Sequence, residues 1–221
     1  MRTALAALVV LVISISAAPL LRADEKRNDA KEPAWRELFN GKDLTGWRQS
    51  DYGGGPEVTV EDGKIVIPLA ERLAGITYDA KDADKLPKTN YEVELEARRV
   101  QGTDFFVGLT FPVGESFASL ILGGWGGTVC GISSLDGDDA NHNETRKLIR
   151  FKKGQWYKVR LRVEGERIQA WLDDEPLVDV KTPGKHLDIR PEIGPSKPLG
   201  LASFSTTAEV KSIRLREVPK N

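Results

Sequence analysis

The chain has 221 residues, 40% of them hydrophobic and 29% charged, a balance that suits one globular domain and excludes general disorder. Lysine and arginine number 32 against 33 aspartate and glutamate, so no net positive field exists to hold phosphate backbones or anionic lipid, and no nucleic-acid partner is expected. A single cysteine, Cys130, leaves no intramolecular disulfide and reads as a small buried side chain.

Met1-Arg2-Thr3 precedes an apolar run from Ala4 to Ala18, followed by Pro19 to Ala23. The run falls short of the ~20 residues that cross a bilayer as a helix. Arg22 interrupts the apolar segment, and Ala18 and Ala23 offer peptidase sites. Residues 1–23 are therefore expected to be a signal peptide, with an uncleaved anchor as the alternative. The mature protein would be secreted or periplasmic and free of the membrane. Residues 24–34 are charged and closed by Pro33, as in a solvated linker, and 35–221 are assigned to a single β-sandwich domain.

Within that domain the apolar residues keep a period of two and no helix is predicted. Val58–Val60 and Ile65–Ile67 flank Glu61-Asp62-Gly63-Lys64, where Asp-Gly suits a tight hairpin turn. Tyr91, Val93, Leu95 and Ala97 alternate with glutamates, giving a half-buried strand. Tyr157, Val159, Leu161 and Val163 repeat the pattern with Lys158, Arg160 and Arg162 between them. Turns at Glu164-Gly165-Glu166 and at Asp173-Asp174 then lead through Ile168, Ala170 and Leu172 to Leu177–Val180. A final pair, Leu199–Phe204 and Val210–Val218, returns the C-terminus to a sheet beside an early strand. Short strands at this spacing, without a fixed repeat, indicate a sandwich or barrel.

Two segments carry a family likeness. Leu38 to Trp47 reads LFNGKDLTGW, and Gly154 to Val163 reads GQWYKVRLRV, followed by a Trp-containing strand and a two-carboxylate turn. Residues 35–218 thereby resemble the 3-keto-disaccharide hydrolase family, and the first motif is the more specific. The resemblance implies an all-β, concanavalin A-like jelly-roll sandwich of two antiparallel sheets and a (3-keto) disaccharide or glycoside that is hydrolysed or recognised. A non-catalytic carbohydrate-binding module or an extracytoplasmic interaction domain is the alternative. Phe105–Pro112 and Phe204–Ala208 depart from the family's enzymes, so no catalytic residue is carried over. In physical terms LFNGKDLTGW is first a structural element: Leu38, Phe39, Leu44 and Trp47 are core anchors, and Asp43 can accept amides two residues on.

Three places offer chemistry. In Gly123–Thr128 four glycines isolate Trp125, whose indole either stacks on a pyranose or covers the core edge. The loop Ser133–Glu144 comes next, the densest collection of polar side chains in the domain. Asp138, Asn141 and Glu144 are candidate substrate contacts there, and Asp136 and His142 are candidate catalytic groups, the imidazole being biased toward its charged form by surrounding carboxylates. An ordinary acidic surface loop is the competing reading. The loop's oxygens would also suit Ca²⁺, but Glu144 stands where the 12-residue calcium loop needs glycine, so no metal ligands are assigned and no cofactor is required. Third, strand parity sends Arg160, Arg162, Gln169 and Trp171 outward together, making Arg160 and Trp171 candidate sugar contacts. The arginines equally suit cross-strand pairing with Glu94 and Glu96.

Overall fold

A computed structural model describes residues 33–219. The expected signal peptide, and the expected linker up to residue 32, lie outside the described residues. Fifteen strands follow in chain order: β1 (Arg36–Glu37), β2 (Trp47–Gln49), β3 (Thr59–Glu61), β4 (Lys64–Ile67) and β5 (Leu73–Tyr78). Next come β6 (Tyr91–Gly102), β7 (Val107–Val113), β8 (Ser116–Gly124), β9 (Val129–Ser133) and β10 (Lys147–Leu148). The last five are β11 (Tyr157–Glu164), β12 (Arg167–Leu172), β13 (Glu175–Lys181), β14 (Gly200–Phe204) and β15 (Thr206–Glu217). Helical structure among these residues is limited to 3-10 turns at Ala83–Lys85 and Pro191–Ser196, neither able to cross a membrane.

The strands form two antiparallel sheets. The first runs β13-β12-β11-β6-β15-β4-β3, with β1 also on β15, and the second runs β10-β9-β8-β7-β14-β5-β2. Their facing sides enclose one core. Tyr91, Val93 and Leu95 of β6 meet the inward side chains of β11, while Leu109, Phe111, Leu120 and Ile132 face them from the second sheet. Each such side chain contributes about 1.5–3 kcal/mol when taken fully out of water. This is the expected jelly-roll sandwich, and the period-two pattern of β6 and β11 set its inward face.

Local chemistry fixes the corners. Asp62 and Gly63 both take positive φ (47° and 76°), as a two-residue hairpin turn requires. The LFNGKDLTGW segment docks where β15 bulges at Ser212, and the amides of Leu38 and Phe39 donate to the Ile213 carbonyl. Asn40 Oδ1 accepts the Asp43 amide and Asp43 Oδ1 accepts that of Thr45, and the hydroxyl and amide of Thr45 hold the Asp43 carboxyl down at about 2. Trp47 is buried, its Nε1 donating to the Leu38 carbonyl at 2.8 Å, so this motif is a structural anchor.

The outward faces of the two sheets differ. On the first, Glu92 is fully buried beneath arginines: Arg162 Nε donates to it at 2.7 Å, Arg216 Nε at 2.6 Å and Arg160 Nη1 at 3.2 Å. Glu94 pairs instead with Arg214, and Glu96 with Lys211. The Arg160 guanidinium also lies 3.9 Å from the centre of the Trp171 ring. Arg160 and Trp171, the candidate sugar contacts on this sheet, thus lie against each other, half-buried and beside the ion network around Glu92.

Candidate functional site

Many outward positions of the second sheet are small and uncharged, Gly75 and Thr77 on β5, Gly108 and Thr110 on β7, Ser119 on β8, Gly131 and Ser133 on β9 and Ala202 on β14, with Leu73, Ile121, Val129 and Phe204 as the larger apolar ones. The small ones are all buried, because other segments lie over this face. One cover is the 3-10 turn Pro191–Ser196, held by the Thr77 hydroxyl donating to the Pro195 carbonyl at 2.7 Å and by a hydrogen bond between the Tyr52 and Ser196 hydroxyls. Burial raises the Tyr52 phenol above its ordinary range. Beneath the turn, Ile189 and Ile193 pack with Leu73 and Ala202. The other cover is the loop after β9, anchored by Ala140 on Ile121 and Val129.

Between these covers the sheet floor opens into a cavity of about 420 Å³. Leu73, Phe105, Ile121, Ile193 and Phe204 form its apolar walls, and Ser119 and Ser133 its floor. The rings of Phe105 and Phe204 stack with centroids 6.1 Å apart. Arg72, Asp104, Arg190 and Glu192 supply charge around the rim, where Tyr52 and Trp125 also stand. Trp125 is 38% exposed, which favours the stacking platform over the core cover among the two sequence readings.

A second chamber of about 390 Å³ shares Arg190 and Glu192 with the first and is lined by Asp138, Asp139, His142, His186 and Asp188. Here His142 Nδ1 lies 2.8 Å from Asp139 Oδ1, while the other oxygen of Asp139 faces Arg190 Nη1 at 3.6 Å. Arg190 Nε donates to Glu192 Oε1 at 2.6 Å. Burial pushes the Glu192 carboxyl up, but its own backbone amide and Arg190 hold it below the usual glutamate range. Asn143 builds the loop, its Nδ2 donating to the Ile132 and Asp139 carbonyls, so the Asp139–His142 turn rests on β9.

The sequence candidates thus separate. Trp125 stands at the first cavity, and Asp138 and His142 line the second. Asp136, Asn141 and Glu144 line neither. Asn141 accepts from Arg146 Nε at 3.0 Å, and Lys185 sits between Asp136 (3.4 Å) and Glu144 (3.2 Å). Asp136 also accepts the His186 amide at 2.7 Å, and that bond, with Lys185, lowers its pKa. Among the described residues no cluster of three or more histidine, cysteine or acidic side chains could hold a metal ion. Sequence reasoning passed over Tyr52, Phe105, Arg190 and Phe204. Their signal lay in the strands below them, where Gly, Ser, Thr and Ala take the outward positions that carry charge on the other sheet.

Residues 34–216 match the family model described as the 3-keto-alpha-glucoside-1,2-lyase-like domain, the 3-keto-disaccharide hydrolase family. The chain belongs to this family. Its domain takes in every strand from β1 to β14 and both chambers. No curated protein matches the chain. Among solved structures it is similar to the Crh5 transglycosylase in complex with NAG (10% identity, 84% of each chain covered, TM-score 0.59). It is also similar to domain 4 of AbnA, an extracellular arabinanase from Geobacillus stearothermophilus, in complex with arabinotriose (16% identity, 86% of this chain and 94% of that one, TM-score 0.54). A third is a beta-1,3-glucanase from Mycobacterium marinum (12% identity, 85% and 100%, TM-score 0.53). At these identities the likeness is one of fold: the family's domain here is a β-sandwich of the kind that glycosyl hydrolases and carbohydrate-binding domains use.

Proposed function

We propose that the protein takes a 3-keto-glycoside or 3-keto-disaccharide outside the cytoplasm, seats its oxidised ring in the apolar-walled cavity, and breaks the glycosidic bond beside the His142–Asp139 pair. The observation that carries this reading is that Arg190 and Glu192 line both chambers: a cavity within the ~300–1,000 Å³ range of small-ligand sites is walled by the same two residues as the neighbouring chamber that holds His142 and Asp139. The family supports the substrate class, and the apolar run at residues 4–18 supports export.

The chemistry follows from the ketone. A carbonyl at C3 acidifies the hydrogen on C2, so a base can remove that proton while the electron pair moves onto the C3 oxygen as an enolate. Collapse of the enolate forms the C1–C2 double bond and expels the glycosidic oxygen from C1, which leaves with a proton. With Asp139 on Nδ1 of His142, the proton acceptor in this reading is Nε2, which faces Asn141 Nδ2 at 3.4 Å and would exchange that contact for the substrate. The Arg190 guanidinium is placed to stabilise the enolate oxygen. Water added across the new double bond would make the sum a hydrolysis.

The test is release of 4-nitrophenol from its 3-keto-α-glucoside by purified protein, with the unoxidised glucoside as control. Release is expected only from the keto form, and His142→Ala should slow it by about 10²–10⁴-fold. Binding without release would leave a carbohydrate-binding module, the second reading, which the exposed Trp125 at the rim also supports. Neither binding nor release would overturn both.

A further inference from the structure

The alternation of β6 places Tyr91, Val93, Leu95, Ala97 and then Arg99 on the core side. An arginine stands where the pattern demands an apolar residue, and it is only 6% exposed. No carboxylate approaches it within ion-pair distance among the described residues. Its Nη2 donates instead to three backbone carbonyls, of Asp104 at 2.9 Å, Gly123 at 3.0 Å and Gly127 at 3.1 Å. A buried cation spread over carbonyls is an expensive way to fill a core position, since burial disfavours the charged form and lowers its pKa. What those carbonyls hold explains it: Gly123 and Gly127 are the two ends of the turn that carries Trp125.

We propose that Arg99 is a positioning residue for ligand recognition, fixing the Trp125 indole at the cavity rim from beneath the turn. The proposal rests on the carbohydrate reading of that cavity. Trp125 takes φ = +48°, a left-handed conformation that a bulky residue keeps only where its surroundings over-determine it. Arg99 supplies that constraint through the carbonyls on either side. Asp104 supplies the rest, its Oδ2 accepting the Gly126 amide at 3.1 Å and its Oδ1 the Phe105 amide at 2.8 Å. The glycines answer to the arginine: a Cβ on Gly123 would lie 2.3 Å from Arg99 Nη2, and one on Gly127 would lie 3.2 Å from Nη1. Trp125 and Asp104 line the cavity, whereas Arg99 does not, so Arg99 reaches a ligand only through the turn. An indole held in its bound position loses less freedom when a sugar stacks on it, which is how a residue without ligand contact sets affinity.

A mutant cycle on the full-length protein tests this, every variant carrying His142→Ala to suppress turnover, with methyl 3-keto-α-D-glucopyranoside as calorimetric probe and melting curves to confirm folding. Arg99→Lys keeps the charge but cannot span the carbonyls, and should weaken binding about tenfold, as should Trp125→Ala. The decisive result is the double variant. Because Arg99 acts through Trp125, Arg99→Lys should cause no further loss once the indole is gone, a non-additivity that a merely structural role would not produce. Gly123→Ala, which displaces the guanidinium, provides a second variant with the same expected behaviour if Arg99→Lys does not fold. Additive losses, or wild-type affinity in a folded Arg99→Lys protein, overturn the proposal while leaving the carbohydrate reading intact. A wild-type protein that binds no probe overturns both.

Discussion

Lys185 decides which carboxylates of the loop after β9 remain available for chemistry. Its Nζ draws in Asp136 and Glu144, and they in turn raise its pKa, Glu144 more than Asp136. The Asp136 carboxylate also accepts the His186 amide, so this pair of residues ties the loop to the segment before the 3-10 turn. Asp139 escapes that tie and sits on His142. The two aspartates should therefore behave differently. Asp136→Asn is expected to leave affinity and kcat for the 4-nitrophenyl 3-keto-glucoside within about twofold, as surface changes usually do. Asp139→Asn should lower kcat by about tenfold or more, because His142 loses the partner that sets its tautomer. Steady-state kinetics on the two variants check this, and equal losses would contradict the division. The density of polar side chains singled out this loop from the sequence, but which of its carboxylates are paired is set by Lys185, about fifty residues beyond Asp136. Sequence proximity counts groups and not their partners.

At the scale of strands, one alternation rule gave two surfaces of different legibility. On β6 and β11 the outward positions are charged, and the cross-strand register brings Arg160 opposite Glu94 and Arg162 opposite Glu92, as pairing of exposed strands predicts. The side chains then slant, so Glu92 collects Arg160, Arg162 and Arg216 while Glu94 goes to Arg214. On β5, β7, β8 and β9 the outward residues are small or apolar, most of these strands are buried, and the hydropathy alternation fades. Strands of that kind are as readable as core, but what covers them comes from segments with no periodicity at all, such as Asp188–Ser196. The charged cluster makes its own prediction. Burial pushes the Glu92 carboxyl up, yet hydrogen bonds from Arg162 and Arg216 hold it below its ordinary value. A depressed folded-state pKa adds stability above the unfolded value of about 4.3, and that stability is lost as pH falls through the folded value. Glu92→Gln should cost about 3 kcal/mol at neutral pH, the low end for a broken buried pair because the guanidiniums keep some solvent contact. For a domain of this size that is about 6–12 °C in Tm. The gap between wild type and variant should close on acidification below about pH 4, and thermal melts at neutral and acid pH measure it.

For the molecule as a whole, the sandwich assigns its two outer faces to different tasks: ion pairing closes the first sheet, and the second carries the cavity. The architecture was readable because hairpins are local, with turn residues such as Asp62-Gly63 and Asp173-Asp174 written between the strands they join. The site is not local. Tyr52, Phe105, Trp125, Arg190 and Phe204 meet only after strands from both halves of the chain interleave in the second sheet. The proposed role carries a proposal about the compartment, which the N-terminal residues allow to be tested. We propose that the apolar run from Ala4 to Ala18, short for a lasting membrane span, is a leader removed on export. The stability of the domain does not depend on the compartment's redox state, because Cys130 is the only cysteine, and burial raises its thiol to about 11, which keeps it protonated and unreactive. Cleavage after Ala23 would leave residues 24–35, rich in charged side chains, ahead of β1 in the chain. N-terminal sequencing of exported protein is therefore expected to begin at or near Asp24. Recovery of chains beginning at Met1 from the membrane fraction would show instead that the apolar run anchors the domain, and would move the proposed chemistry to the membrane surface.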